Sequence, residues 1–212
     1  MDTKNNLAEQ FDAFADMYDD DYRNYGDDLQ FIQELIEDCD GSILELGCGT
    51  GRVIVPLAEQ GAKGTGVDIS PRLLDIARGK LASQGLEHLI DLKLADIRHM
   101  QLPHEEFTFA YCVSNTLMHC TTQSEQLQVI RNTFRHLQTG GLFLLDLFNP
   151  DLVSLAEISG LQELADSWND SRGNQVLKWS IRAFDTATQI QDPVFIYETI
   201  SQDGLSHKQI CP

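Results

Sequence analysis

The stretch Ser42–Arg52, SILELGCGTGR, joins a short apolar run to three glycines at alternate positions. The run SILEL is typical of a buried strand, and glycines directly after a strand let the backbone turn sharply and approach a ligand closely. Glu45 stands two residues before the first glycine, where a phosphate group would meet a carboxylate at an energetic cost. The stretch therefore predicts a strand, a tight turn and a ligand that carries positive charge.

Strand and helix patterns alternate on both sides of this stretch. The segments KGTGVDIS, LIDLKLAD, FTFAYCVSN and LFLLDLF are predicted strands, and apolar residues at helical spacing lie between them. Parallel sheets that are covered on both faces have such near-continuous apolar strands. The order of elements predicts an α/β fold with a doubly wound, mostly parallel Rossmann-like sheet and helices on both faces.

Capping signals predict where several helices begin and end. Ser70 is a candidate N-cap with a proline directly behind it, and Thr122 with Glu125 matches a capping box. The pair Gly140-Gly141 is predicted to end the helix that starts near Thr122, before a fifth buried strand.

The pattern changes after Pro150, and this divides the chain into three predicted segments. Residues 1–40 form a helical entry or lid segment, residues 41–150 the cofactor-binding core, and residues 151–212 a helix with a β-rich, substrate-side segment. In the last segment we expect a helix over 152–165, two antiparallel strands, and a third strand starting near His207. The two strands are either part of an incomplete insertion or a closing hairpin. In the first case the fifth strand is an exposed edge, which predicts a homodimer through that edge.

Composition excludes several classes of partner. The chain has 212 residues and a formal net charge of -18, which disfavours binding to nucleic acid or an anionic membrane. No apolar run reaches the ~18 residues that a membrane span requires. The five cysteines show no CxxC spacing, which favours reduced thiols in the cytoplasm, and no histidine shows the spacing of metal ligands.

The motif LELGCGTGR resembles the first motif of the class I S-adenosylmethionine-dependent methyltransferases. The segments FADMYDDDY, SNTLMH and RHLQTGGLFLLDLFNP agree with the same family, so that the resemblance spans about Phe11 to Pro150. It implies that the cofactor is S-adenosylmethionine, the product S-adenosylhomocysteine, and the acceptor a small molecule. The further helix and two strands with which the family fold usually ends are not evident in this sequence.

The resemblance also implies roles for individual residues. Tyr18 would close over the cofactor, Asp68 would accept hydrogen bonds from the ribose, and Asp96 would contact the adenine amine. From the residues alone, Tyr18 could instead pack the first helix, Asp68 could end a strand, and Asp96 could cap a turn. The expected cofactor-binding residues are Tyr18, Glu45, Gly47, Cys48, Gly49, Gly51, Asp68, Ile69, Asp96, Ile97, Val113 and Ser114.

Methyl transfer from a sulfonium needs alignment and exclusion of water more than a protein nucleophile. His119 is the candidate catalytic base, because an unperturbed histidine titrates near neutral pH, although it could instead only pack or hydrogen-bond there. Asn115, Phe148 and Asn149 are candidate substrate contacts. A protein that binds S-adenosylmethionine without catalysis is the alternative function. An NAD(P)-dependent oxidoreductase is a second alternative, which the displaced third glycine and Glu45 disfavour.

Overall fold

The computed structural model describes residues 3–37, 39–103 and 106–211, with the side chains of residues 3–6 left aside. The chain divides into two compact units, residues 1–148 and residues 149–212. The three-segment division expected from the sequence stays a prediction.

The first unit contains one parallel five-stranded sheet with helices around it. Its strands are paired in the order β3-β2-β1-β4-β5, so that the strand order reverses beside β1, as in doubly wound folds. The predicted α/β fold is confirmed. The elements are α1 (Thr3–Asp21), α2 (Asp27–Ile36), β1 (Ile43–Leu46), α3 (Ile54–Glu59), β2 (Gly64–Asp68), α4 (Pro71–Gln84), β3 (Ile90–Leu94), β4 (Phe107–Cys112), a 3-10 turn (Thr116–His119), α5 (Gln123–His136) and β5 (Leu137–Leu145).

Two hydrophobic clusters cover the two faces of this sheet. On one face, Ile43 and Tyr111 pack with residues of α2, α3 and α4, including Leu74. On the other face, Leu44 and Val129 of α5 belong to one cluster. Because both faces are covered, every residue of β1, β2 and β4 is buried, which explains why these strands have almost no alternation of polar and apolar residues.

The predicted N-caps of α4 and α5 are confirmed. The Ser70 hydroxyl accepts a hydrogen bond from the Leu73 amide at 3.0 Å, and the Thr122 hydroxyl accepts one from the Glu125 amide at 3.2 Å. Each bond satisfies an amide that the first helical turn leaves without an intrahelical partner.

The expectation that Gly140-Gly141 ends α5 is wrong. The helix ends at His136 and β5 follows directly, with an irregular register against β4 between Phe107 and Phe109. Gly140 has φ +84° in this irregular stretch, so that the glycines serve a β-bulge. The expectation that β5 is buried is wrong as well: it is the last strand in the sheet order, and Leu142 is 52% exposed.

The second unit contains α6 (Leu152–Ile158) and an antiparallel sheet. Its strands, in the order β6-β7-β8-β9, are β6 (Gln162–Asn169), β7 (Gln175–Asp185), β8 (Ile190–Ile200) and β9 (Ser206–Cys211). The strand predicted near His207 is confirmed, and the helix predicted over 152–165 is wrong beyond Ile158. Gly160, at φ +78°, follows the helix, and pairing with β7 then holds 162–169 as a strand.

Candidate cofactor site

The glycine turn is fixed to the carboxyl end of β2 by backbone hydrogen bonds. The amides of Gly47 and Cys48 both donate to the Val67 carbonyl, at 2.7 and 3.0 Å. The Gly49 amide donates to Asp68 Oδ2 at 2.8 Å. The turn from β1 therefore lies against the end of β2, next to the point where the strand order reverses.

Two of the three glycines occupy positions where a side chain has no room. Gly47 has φ +72°, and a Cβ atom there would lie 2.3 Å from Cγ2 of Thr116. Gly51 has φ +77°, and its Cβ would lie 2.7 Å from Cγ2 of Val55. The turn therefore needs glycine both for its left-handed backbone and for the close approach of the neighbouring elements.

Cys48 fills space beneath the turn. Its side chain is buried against β2, where a Cβ added to Gly66 would lie 2.9 Å from Cys48 Sγ. Burial raises the pKa of the Cys48 thiol well above its ordinary value. These surroundings are those of a small apolar core residue, because a reactive thiolate requires partial exposure and nearby positive charge.

Glu45 is a buried acid directly below the turn. It is 2% exposed, and its Oε2 atom accepts a hydrogen bond from the Tyr111 hydroxyl at 3.1 Å. Burial raises the pKa of the Glu45 carboxyl to about 8, against the opposing effects of the Tyr111 hydrogen bond and of Arg52. A cation bound nearby would stabilise the ionised form, so that this strand end favours a positively charged ligand.

Asp68 connects the glycine turn to the start of α4. Its Oδ2 atom accepts from the Gly49 amide, and its Oδ1 atom accepts from the Ser70 amide at 2.8 Å. Burial raises the pKa of Asp68, and the hydrogen bonds from Ser70 and Gly49 oppose that effect. Because a carboxylate has about four acceptor positions, Asp68 retains the capacity to accept a hydrogen bond from a ligand hydroxyl. Ile69 follows, half-buried, at the end of the strand.

Helix α1 packs against the glycine turn and α4. A Cβ added to Gly49 would lie 3.8 Å from Cζ of Tyr18, so that the tyrosine ring contacts the turn. The Thr50 hydroxyl donates to Asp19 at 2.6 Å, and Lys80 of α4 pairs with the same carboxylate at 2.7 Å. Burial raises the pKa of Tyr18, which keeps its hydroxyl protonated. The helix thus covers one side of the turn.

Arg52 is a site residue that the sequence reasoning missed. Its guanidinium donates to Asp28 Oδ1 at 2.9 Å and to Ser114 Oγ at 2.8 Å, and the rings of Tyr22 and Tyr25 each lie 5.2 Å from its central carbon. Its Nε atom is buried and has no hydrogen-bond partner among the described residues. The signal in the sequence was Arg52 itself, which occupies the place of the third glycine in the dinucleotide pattern.

The segment after β4 has an unusual backbone. Ser114 and Asn115 have φ values of +53° and +62°, a region that residues with a side chain rarely adopt. The Ser114 amide donates to Asp146 Oδ2 at 3.1 Å, and Asn115 Oδ1 accepts from the Phe148 amide at 2.5 Å. Strained backbone that is held by side-chain hydrogen bonds is frequent at functional sites. Val113 is buried just before this segment.

The end of β3 lies beside the end of β2, because the Ala95 amide donates to the Asp68 carbonyl at 2.9 Å. Asp96 follows, and its carboxylate accepts from the Arg98 amide at 2.9 Å and pairs with the Arg98 guanidinium at 2.8 Å. Burial alone would raise the pKa of Asp96, but the hydrogen bonds from Arg98 outweigh it and lower the pKa. The structure thus gives Asp96 the role of a turn residue, and its predicted adenine contact is untested. Ile97 is half-buried next to it.

His119, the candidate base, ends the 3-10 turn. Its ring meets Phe11 of α1 edge to face, with the centroids 4.9 Å apart. Partial desolvation lowers the pKa of His119, although the residue as a whole is exposed. The imidazole is therefore mainly neutral near pH 7 and able to accept a proton. Its role as a base stays a prediction, and so do the substrate roles of Asn115, Phe148 and Asn149.

The structure brings several predicted residues together around the turn, along with Arg52 and Thr116, which the sequence did not indicate. Arg52 and Ser114 are hydrogen-bonded to each other, Tyr18 and Asp68 contact Gly49, and Thr116 contacts Gly47. Asn149 belongs to the second unit. No group of three or more potential metal ligands occurs among the described residues. None of the described helices is both long and apolar enough to span a membrane.

A glycine turn beside the point where the strand order reverses, with acidic residues at the ends of β1 and β2, defines a cofactor-binding α/β domain. Residues 43–141 match the family model of the methyltransferase domain. The chain is 26% identical over 162 residues to the putative methyltransferase YqeM of Bacillus subtilis, with 76% of this chain and 63% of that protein covered. The alignment with a tRNA N(3)-methylcytidine methyltransferase of Drosophila melanogaster covers 56% of this chain and 38% of that protein, at 32% identity.

Solved structures show the same fold. The CcbJ methyltransferase from Streptomyces caelestis has a TM-score of 0.73 at 22% identity, with 95% of this chain and 79% of that chain covered. DesVI from Streptomyces venezuelae has a TM-score of 0.75 at 18% identity, with 92% and 80% covered. Over residues 43–141 the chain is thus similar to the methyltransferase domain family. The chain spans less than two thirds of the length of the curated relatives named above.

Proposed function

We propose that this protein transfers a methyl group from S-adenosylmethionine to a small-molecule N, O or C acceptor by in-line displacement. The observation that carries the proposal is the glycine turn held between two buried acids, Glu45 below it and Asp68 beside it. The cofactor carries an ammonium and a sulfonium, which suit such surroundings, whereas a dinucleotide would bring a pyrophosphate.

The residues present fit each polar part of the cofactor. Asp68 retains acceptor capacity for the ribose hydroxyls, and Glu45 is an acid whose ionisation a nearby ammonium would favour. Arg52 has a buried Nε donor without a partner among the described residues and would hold the carboxylate. S-adenosylmethionine, when bound, supplies an activated methyl group with a good leaving group. The chain has to orient acceptor and methyl, exclude water, and remove a proton where the acceptor carries one.

We assign to α1 the role of covering the site. We assign to His119 the removal of the proton from the acceptor. Tyr18 contacts the turn and Phe11 contacts the His119 ring, so that α1 touches both predicted regions. A neutral imidazole is the form that accepts a proton, which agrees with the lowered pKa of His119. The matched test is the pH–rate profile of His119→Gln beside that of His88→Gln, which changes an exposed histidine. In the wild type we expect the rate to fall at low pH, where a catalytic base is protonated. This fall should be lost in His119→Gln only, and unchanged profiles in both variants would exclude His119 as a base.

The second unit is proposed to contribute to acceptor recognition. One face of its sheet combines aromatic rings with polar groups: Lys178 Nζ lies 4.6 Å from the Phe195 ring centroid, and Lys178 pairs in register with the buried Tyr197. On the same face, the Ser180 hydroxyl is buried without a hydrogen-bond partner among the described residues. Polar groups beside aromatic rings are typical of small-molecule sites. We expect Tyr197→Phe and Ser180→Ala to raise KM for the acceptor while the affinity for the cofactor stays unchanged.

Calorimetric titration with S-adenosylhomocysteine tests the cofactor assignment. We compare the wild type with Asp68→Asn, which keeps the size of the side chain and removes its charge. Asp91→Asn, at an exposed position in β3, is the control for the same change of net charge. A loss of about tenfold to a hundredfold in affinity is expected for Asp68→Asn only. Equal affinity in all three proteins would overturn the ribose assignment.

Two measurements separate the alternative functions. A thermal-shift comparison of S-adenosylmethionine with NAD identifies the cofactor, because a ligand that binds only the native state raises its stability. Stabilisation by NAD alone would support the oxidoreductase alternative. Cofactor binding without release of S-adenosylhomocysteine, on a broad panel of amine, hydroxyl and carbon acceptors, would support a non-catalytic binding protein.

We propose a homodimer through the edge of β5, and no nucleic-acid or membrane partner. β5 contains no charged residue, and Phe134 of the adjoining α5 is 76% exposed. Unpaired strand edges with apolar residues favour pairing with another chain. Light scattering over a wide concentration range should give a dimer mass that Leu142→Lys shifts to the monomer, and a constant monomer mass would contradict this.

None of the five cysteines forms a disulfide, which supports a cytoplasmic location.

A further inference from the structure

A cleft of about 400 Å³ lies beside α5, apart from the glycine turn. One wall is the turn after β3 and the other wall is an exposed face of α5. Neither the residues of the glycine turn nor Asp68 line it, so the cofactor site does not account for it. The side chains used below are Arg98, His99, Ser124, Gln128, Arg131 and Arg135.

The wall on α5 follows the periodicity of the helix. Ser124, Gln128, Arg131 and Arg135 are spaced so that they share one face. At a rise of about 1.5 Å per residue, this row extends roughly 16 Å along the helix. The row ends in two guanidinium groups at the carboxyl end of α5 and begins in amide and hydroxyl groups near its amino end. The cleft is thus a polar channel with positive charge at one end.

Hydrogen bonds hold the two walls of the cleft together. Asn132 Nδ2 donates to the carbonyls of Ile97 and Met100, at 3.2 and 3.0 Å. Gln128 Nε2 lies 3.0 Å from His99 Nδ1. The Arg98 guanidinium is bonded to both Asp96 and Glu125, which places it in the wall. The shape of the cleft is therefore fixed before any ligand arrives, which lowers the entropic cost of binding.

The charge of the lining differs from that of the whole chain. Among the described residues, no aspartate or glutamate lines the cleft, although the chain has a net charge of -18. The carboxylates of Asp96 and Glu125 offset the charge of Arg98, but they are engaged by it. Among the described residues, neither Arg131 nor Arg135 forms an ion pair. These two arginines give the cleft its available positive charge.

We propose that this cleft binds a phosphorylated small molecule, with its phosphate groups at Arg131 and Arg135. Guanidinium forks match phosphate oxygens in two-point hydrogen bonds. The His99 and Gln128 side chains provide hydrogen bonds for a polar body such as a sugar or a base, and the volume suits a ligand of that size. The net charge of -18 disfavours a nucleic-acid strand, so the proposed ligand is a small one.

The site is independent of the proposed function, because it uses none of the residues assigned to the methyl donor. Its wall nevertheless continues into the predicted adenine region, since Arg98 holds Asp96. Binding in the cleft is therefore to be measured on the protein without S-adenosylmethionine, by a direct binding readout that does not depend on methyl transfer.

Inorganic pyrophosphate is the probe for the phosphate end, titrated calorimetrically at low salt. The wild type should bind one equivalent, and Arg131→Gln/Arg135→Gln should lose about tenfold or more in affinity. The matched control is Arg78→Gln/Arg172→Gln, which removes two positive charges at exposed positions that are not among the residues lining the cleft. A change of no more than about twofold is expected there.

Three results would overturn the proposal. They are the absence of pyrophosphate binding by the wild type up to about 10 mM, an equal loss of affinity in the control variant, and binding of succinate as tight as that of pyrophosphate. The second result would indicate a general charge effect, and the third a site for any dianion. Circular dichroism of both variants verifies that they are folded, which is expected because all four arginines are exposed.

Discussion

The parallel sheet of the first unit and the antiparallel sheet of the second unit bury their strands differently. All residues of β1, β2 and β4 are buried, whereas β6 has only Trp168 buried and β9 only Cys211. Strands β1, β2 and β4 are enclosed by helices on both faces, and their only charged residues, Glu45 and Asp68, lie near the carboxyl ends of β1 and β2. The antiparallel strands have polar and apolar residues distributed along their length.

This difference determines where function can reside. In the parallel sheet the ends of β1 and β2 carry the acids Glu45 and Asp68, and the strands themselves have no room for a ligand. In the antiparallel sheet, side chains such as Lys178 and Phe195 are partly exposed on one face. A parallel sheet therefore supports a cofactor site at its edge, and an antiparallel sheet can offer a surface for recognition.

The largest expected effect tests this difference in burial directly. Leu44→Ala, in β1, should lower the free energy of unfolding by about 3 kcal/mol, because it leaves a cavity in a core that cannot collapse. The matched change Leu164→Ala, at an exposed position in β6, should cost less than about 1 kcal/mol. Chemical denaturation measures both values. Equal losses would mean that the two sheets do not differ in packing as described.

The second prediction compares two glycines with similar backbones. Gly47→Ala should cost about 2 kcal/mol or more and weaken S-adenosylhomocysteine binding, because its Cβ would meet Thr116 at 2.3 Å as well as requiring φ +72°. Gly204→Ala has φ +83° but open space around it, so it should cost only about 1 kcal/mol and leave cofactor binding unchanged. Denaturation and calorimetric titration of both variants distinguish the contact from the backbone effect.

The third prediction concerns the pH dependence that Glu45 gives to the first unit. Its folded-state pKa of about 8 lies above the ordinary value of 4.5, so the folded protein holds this proton more tightly. The resulting stabilisation is complete below about pH 4.5 and is lost as the pH rises towards 8, at up to about 1.4 kcal/mol per pH unit. Glu45→Gln should remove this slope.

The measurement is a set of denaturation curves between pH 5 and pH 8. The free energy of unfolding of Glu45→Gln minus that of the wild type should rise with pH over this range. Glu59→Gln, an exposed position on α3, serves as the control and should give a constant difference. A constant difference for Glu45→Gln as well would show that the carboxyl is ionised in the folded protein.

The smallest expected effect concerns the exposed ion pairs that connect α1 to α4. Arg72→Gln removes the pair with Asp16 and the hydrogen bond to the Asp12 carbonyl, and should cost no more than about 0.5 kcal/mol. The same change at Lys208, paired with Glu198 in the second sheet, should cost a similar amount. Both losses should disappear in 1 M salt because of screening, where the Debye length is about 3 Å. A loss at Arg72 that persists in salt would indicate a packing role.

Much of the first unit could be predicted because its local signals and tertiary contacts agree. Ser70 and Thr122 cap the helices that their sequence context indicates, and SILEL is the strand that its apolar run predicts. The helix predicted over 152–165 failed beyond Ile158, since short polar segments carry a weak local preference and pairing with β7 determined their state. The prediction that Gly140-Gly141 ends α5 was wrong for a related reason. Glycine is common both at helix ends and in β-bulges, so its presence does not distinguish the two.

In the first unit, the sequence by itself determined the order of strands and helices, the glycine turn and the acids at its strand ends. These features depend on residues close together in the chain, where spacing and residue type limit the backbone. The tertiary structure alone decided that Arg52 is held by Asp28 and Ser114, that Tyr18 contacts Gly49, and that Arg98 forms a wall beside α5. Such contacts join residues distant in sequence, and they exist only once packing has fixed the elements that carry them.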